Sequence, residues 1–124
     1  MNNLEDGDLT QKIIGCCFEV HNCLGPGFIE KIYARALEFQ LESQNIKFES
    51  EKEFSVHFKS HYLGKFRCDL FIENKIIVEL KSVTGFMPKL FHTQVLSYLK
   101  ASKTKTGLLI NFGNPSCEVK RFSM

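Results

Sequence analysis

Phe66–Ser82 reads FRCDLFIENKIIVELKS, two strand-like runs joined by a tight turn, with Asp69 on the first run and Glu79 and Lys81 on the second. Successive side chains of a strand alternate between its faces. Pairing Ile72 with Ile76 around the turn Glu73-Asn74-Lys75 therefore sets Asp69 directly opposite Glu79, with Lys81 and Arg67 sharing their face. Like charges directly opposite one another destabilise a sheet by a few tenths to about 1 kcal/mol. A cation between them reverses the sign, and hard oxygen donors without Cys or His select Mg²⁺ or Mn²⁺ over zinc. Without that ion the two carboxylates compete for a proton, so one should titrate high. A slip of one residue would send the acids to opposite faces. Asn74, which tolerates the left-handed backbone that three-residue hairpin loops use, supports the required register.

Outlying residues could join this pair. Glu30 falls in the first turn of a candidate helix, where its carboxylate could reach the end of the hairpin as a third oxygen ligand. The helix dipole alone also favours an acid there. Tyr33, one turn on, reads as a core aromatic that orients Glu30 or closes the pocket floor. Gln94 and Tyr98, four apart on another candidate helix, face together beside Phe91, Val95 and Leu99. An amide next to such an apolar stripe needs a hydrogen-bond partner, either within the fold or on a substrate phosphate or water. Arg67 either counters the acids or contacts a phosphate. The four histidines (His21, His57, His61 and His92) show no metal-pair spacing.

The elements that must position these residues follow from periodicity. Leu9, Ile13, Cys16, Cys17, Val20 and Leu24 fall at helical spacing after an Asp8/Gln11 capping pattern, predicting a helix over about Leu9–Cys23 that Gly25-Pro26-Gly27 ends. A second amphipathic helix is expected over about Phe28–Ser43, with Ile29, Ile32, Tyr33, Ala36, Leu37 and Leu41 on one stripe. Short runs at Ile46–Ser50 and Phe54–Phe58 read as two strands before the central hairpin. Pro88 suits the first turn of a third helix reaching about Ala101, Gly107–Phe112 reads as a buried strand, and Cys117–Phe122 as a last edge strand. The order α-α-β-β-β-β-α-β-(β) implies an α/β mixed sheet flanked by helices, with a parallel, right-handed crossover through the third helix.

The chain has 124 residues, 44% hydrophobic and 24% charged, enough apolar material for one core, so residues 1–124 are expected to form a single domain. No apolar run approaches the roughly 20 residues of a membrane span, and the polar start MNNLEDGD lacks a signal-peptide pattern. The expected location is cytoplasmic. Five cysteines without a C-x-x-C pair give neither a disulfide framework nor a zinc knuckle, and no clustered C-terminal set that would hold an iron-sulfur cluster. They read as buried thiols in a reducing compartment. Charge is uneven: Met1–Asn74 carries eight Lys/Arg against twelve Asp/Glu, and Lys75–Met124 carries eight against two. The second half can present a positive surface to a polyanion.

Asp69 followed by Glu79-Leu80-Lys81 on adjacent strands resembles the PD-(D/E)-x-K nuclease signature, with Cys68-Asp69 standing in for the proline-aspartate pair. Gly27-Phe28-Ile29-Glu30-Lys31-Ile32-Tyr33 is similar to the motif that names the GxxExxY family of that superfamily. Gln94-Val95-Leu96-Ser97-Tyr98 resembles the Q-x-x-x-Y motif of its exonuclease-like members, and the resemblance spans about Leu9–Arg121, including GLLINFG. It implies a restriction-endonuclease-like core and a Mg²⁺- or Mn²⁺-dependent nuclease acting on DNA or, less often, RNA. It also implies Glu30, Asp69, Glu79 and the Leu80 carbonyl as metal ligands, with Lys81 beside them, and Gln94, Tyr98, Tyr33 and Arg67 as accessory residues. So short a chain leaves little room to grip a duplex, which points to a homodimer or a protein partner. The alternative is a nucleic-acid- or partner-binding module that keeps the fold without useful turnover. A small-ligand metabolic enzyme has less support, because no Gly-rich phosphate loop follows a strand.

Overall fold

Helix α1 (Asp6–Leu24) buries Leu9, Ile13, Cys16, Cys17 and Val20, one turn after another along a single face. A computed structural model describes residues 6–124; Met1–Glu5, most of the polar start noted above, lie outside the described residues. The helix begins before Asp8, so the Asp8/Gln11 pattern sits inside its first turns and is not the cap. It ends where Gly25 takes a left-handed conformation (φ 68°) and its N–H donates to the His21 carbonyl at 2.8 Å. Helix α2 (Glu30–Ser43) buries Tyr33, Leu37 and Leu41. Ile29 and Ile32, expected on the same stripe, are 65% and 43% exposed. Ile29 is extended and precedes the helix, and it is the row at four-residue spacing, flanked by the half-buried Ala34 and Ala36, that meets the core.

The sheet is built from β1 (Phe48–Phe58), β2 (His61–Ile72), β3 (Ile76–Lys81), β4 (Thr106–Asn111) and β5 (Glu118–Ser123), paired in that order. Helix α3 (Lys89–Ser102) crosses from β3 to β4, and that pair is parallel, as the crossover requires. The other three pairs are antiparallel. Three strands precede α3 where the sequence pattern suggests four. Ile46–Ser50 and Phe54–Phe58 belong largely to one strand whose apolar alternation is broken at Glu51, a residue in left-handed backbone (φ 53°).

Helices α1 and α2 cover one face of the sheet, over Leu70, Ile72, Ile76, Val78, Leu80, Leu108 and Ile110. Helix α3 covers the other, with Val95 and Leu99 over Cys68, Phe71, Ile77 and Leu109. Strands β3 and β4 are thus buried on both sides, which explains their nearly continuous apolar runs. No helix among the described residues is long and apolar enough to cross a membrane.

Past Lys81 the chain is pinned by asparagines that mimic backbone. Asn111, fully buried and the parallel partner of Lys81, donates to the Val83 carbonyl (2.9 Å) and accepts from the Val83 and Gly113 N–H groups (2.9 and 3.0 Å). Asn114 holds both backbone groups of Gly85 at 2.8 Å. Gly113 lies so close to Val83 that a Cβ there would sit 2.3 Å from its carbonyl oxygen. Gly113→Ala is expected to cost about 1–3 kcal/mol, read as a lower urea midpoint.

Candidate active site

The hairpin has the anticipated register: Ile72 pairs with Ile76, Phe71 with Ile77 and Leu70 with Val78. Glu73 (φ 52°) and Asn74 (φ 55°) supply its left-handed turn. One more rung would join Asp69 to Glu79, but the ladder stops there and the carboxylates take its place. The Asp69 N–H donates to Glu79 Oε2 at 3.0 Å, and the Leu80 N–H donates to Asp69 Oδ2 at 2.7 Å. The two acids therefore meet in the gap between the strands instead of standing side by side on one face.

Burial sets their charge. Glu79 is only 6% exposed, and desolvation first, then the Asp69 charge, pushes its carboxyl up to about 8. The Asp69 N–H and Lys81 pull it back only in part. Asp69 is also raised, mainly by burial, with Glu30 and Glu51 adding to it against the Leu80 N–H and Lys81. The Lys81 ammonium lies 4.2 Å from the Phe91 ring centroid, a cation–π contact. Among the described residues it makes no ion pair with either acid. Burial with the Glu79 and Asp69 charges pushes the neighbouring Cys68 thiol up to about 12, which rules it out as a thiolate nucleophile near neutrality.

Asp69 opens onto a cavity of about 270 Å³, with Glu30, Lys31 and Arg35 of α2 on one wall and Glu51 of β1 and Arg67 of β2 on the other. The exposed Arg67 pairs with Glu51 at 3.3 Å. Glu30 is carried to this place by a tie between elements: Ser82 Oγ, one residue past Lys81, donates to the Phe28 carbonyl at 2.6 Å. Tyr33 does not line the cavity. It is fully buried, lies flat on Phe112 (4.4 Å between centroids), donates to the Gly25 carbonyl and accepts from the Phe28 N–H at 3.2 Å. It fixes the turn leading into α2, so Tyr33→Phe is expected to cost about 1–2 kcal/mol in urea unfolding. Tyr98 stacks on Phe66 at 4.1 Å, and burial together with the Glu79 and Asp69 charges raises its hydroxyl, which stays a donor near the acids. Gln94 is half-buried one turn earlier on the same helix.

Among the described residues no three His, Cys, Asp or Glu side chains are close enough to hold one ion together, so Glu30 shares the cavity with Asp69 without closing a ligand set. The donor chemistry nevertheless suits a hard cation. Asp69 and Glu79 are close carboxyl groups whose charge Lys81 and the backbone offset only in part, each bonded through one oxygen to a backbone N–H. Two contributors escaped sequence reasoning. Glu51 was hidden as one more acid in a charged strand, its only signal being the broken alternation; Asn111 was signalled by a polar residue closing the apolar run GLLIN.

The comparisons with known proteins bear on the family and the fold. The model of the PD-(D/E)XK nuclease superfamily matches residues 7–122. A search of curated proteins finds no match. A solved structure described as "Crystal structure of SSO0001" is similar at a TM-score of 0.58 and 24% identity, over 76% of this chain and 50% of that one, a likeness of fold. The chain spans half the length of that structure. With the family match covering nearly its whole length, the chain belongs to the PD-(D/E)XK nuclease superfamily.

Proposed function

We propose that the protein is a divalent-metal-dependent nuclease that hydrolyses phosphodiester bonds of DNA, with RNA the lesser substrate, and that the Gly27–Tyr33 motif marks it as a GxxExxY member of its superfamily. The observation that carries the reading is the meeting of Asp69 and Glu79 in the strand gap at the motif's spacing, with Lys81 beside them in no ion pair. Mg²⁺ or Mn²⁺ would be held by Asp69, Glu79 and the Leu80 carbonyl, with Glu30 contributing from the cavity wall. When bound, such an ion polarises the phosphodiester and lowers the pKa of an attacking water.

The chain's own residues do the rest. The Lys81 ammonium, held against Phe91, orients the water or meets the charge that develops on the phosphoryl oxygens. Arg67 and Lys31 border the cavity where flanking phosphates would pass, and the protonated Tyr98 hydroxyl with Gln94 offers donors on the α3 side.

Labelled single- and double-stranded DNA and RNA, incubated with the protein and Mg²⁺, Mn²⁺ or EDTA, test this. Cleavage is expected with either metal, to stop with EDTA, and to disappear in Asp69→Ala. Metal-dependent cleavage that survives both Asp69→Ala and Lys81→Ala would remove these residues from the site. Binding without cleavage would favour the module that has lost turnover.

A further inference from the structure

We propose that the left-handed backbone of Glu51 is what turns Asp69 out of the sheet face and into the site, making Glu51 a positioning residue through its main chain and not its carboxylate. In a regular antiparallel pair, Phe54, which faces Phe66, and Phe71, which faces Glu49, have opposite parity and stand on opposite faces. Here their rings meet edge-on at 5.2 Å, and Phe66 lies flat on Tyr98 of α3. Cys68 and Phe71, also of opposite parity, both pack beneath α3. The alternation has therefore slipped by one residue between them.

The slip has one visible origin. Ser50 pairs with Leu70 and Lys52 with Cys68, but the rung between Glu51 and Asp69 is missing, and Glu51 stands at φ 53°. Glutamate rarely adopts that backbone, which glycine and asparagine reach easily. One residue is left unpaired on each strand, so the register continues unchanged past the break while the side chains beyond it exchange faces. Freed from its rung, Asp69 sends its N–H to Glu79 and its carboxylate to Leu80, and opens onto the cavity. The Glu51 side chain has a smaller part. Its pairing with Arg67 joins two half-exposed groups, and such pairs contribute little.

The inference borrows from the metal reading only for one arm of its test. Glu51→Gly removes the carboxylate and keeps the left-handed backbone; Glu51→Pro removes both, because its ring fixes φ on the other side. Position 51 is on an edge strand and has no partner in the register, where proline is better tolerated than in a central strand. The full chain of each variant is titrated with Mn²⁺ by calorimetry and scored for the Phe54–Phe71 ring NOE. Glu51→Gly is expected to bind within about threefold of wild type and keep the NOE, whereas Glu51→Pro loses the NOE and weakens binding at least about tenfold. Should the proline variant not fold, Glu51→Val, disfavoured in left-handed backbone, is read the same way. A Glu51→Gly chain that loses the ring contact or binds tenfold more weakly, or a Glu51→Pro chain that keeps both, overturns the proposal. If wild type takes up no Mn²⁺ the metal reading fails by itself, and the NOE still decides the positioning.

Discussion

Lys81→Ala is expected to slow metal-dependent cleavage by on the order of 10²–10³-fold, mostly in kcat, with the urea midpoint little changed. The ammonium is a charge that neither acid has captured in an ion pair, held in place by the Phe91 ring and by a backbone fixed on both sides. The Lys81 carbonyl accepts from the Phe112 N–H at 2.9 Å, and two residues on Val83 is clamped by Asn111. A group positioned in advance meets developing charge without reorganisation, which is why its loss should appear in turnover more than in substrate binding. Lys81→Arg should restore little, because a planar fork cannot reproduce a compact point charge in the same space. An equal fall in affinity with unchanged kcat would instead make Lys81 a binding group.

Glu79→Gln is expected to make the metal-free protein more stable by several kcal/mol at about pH 9 and to leave it level with wild type below about pH 4.5. The folded chain keeps its Glu79 proton up to about pH 8, whereas the unfolded chain releases it near 4.5. The folded state therefore binds more protons across that window, so wild-type stability is full at its acid end and falls as pH rises through it. Glutamine keeps an oxygen for the Asp69 N–H and cannot ionise, so its urea midpoint should stay flat where the wild type declines. Equal pH profiles would mean that Glu79 ionises freely in the folded protein. The same burial that destabilises the anion prepares a cation site: a metal that stabilises both carboxylates removes the penalty.

Much of this was legible in the residues because it follows from local rules. The hairpin register came from a three-residue turn with Asn74, and the crossover from Pro88 and the apolar run after it. The reading of the cysteines as buried thiols holds for Cys16, Cys17 and Cys68, whereas Cys23, near the end of α1, is exposed and Cys117 is half-buried. What stayed hidden was set by tertiary structure. Strand parity placed Asp69 and Glu79 on one face, but parity presumes an unbroken ladder, and the break depends on a backbone angle at Glu51 that residue type argues against. Ile29 and Ile32 belong to the apolar stripe by spacing, yet Ile29 caps α2 from outside it and both side chains stay exposed. Tyr33, in the motif with Glu30, proved to be a bond to its own turn, which spacing alone could not distinguish from a pocket residue.

The most direct test of the Asp69–Glu79 pair as a divalent-cation site is Mn²⁺ titration by calorimetry at pH 7 in two buffers of different ionisation enthalpy. Binding is expected to release about one proton per ion, because the buried pair holds one until the metal displaces it, and the release should vanish in Glu79→Gln. Uptake of Mn²⁺ with no proton released, or identical uptake and release in Glu79→Gln, would contradict it.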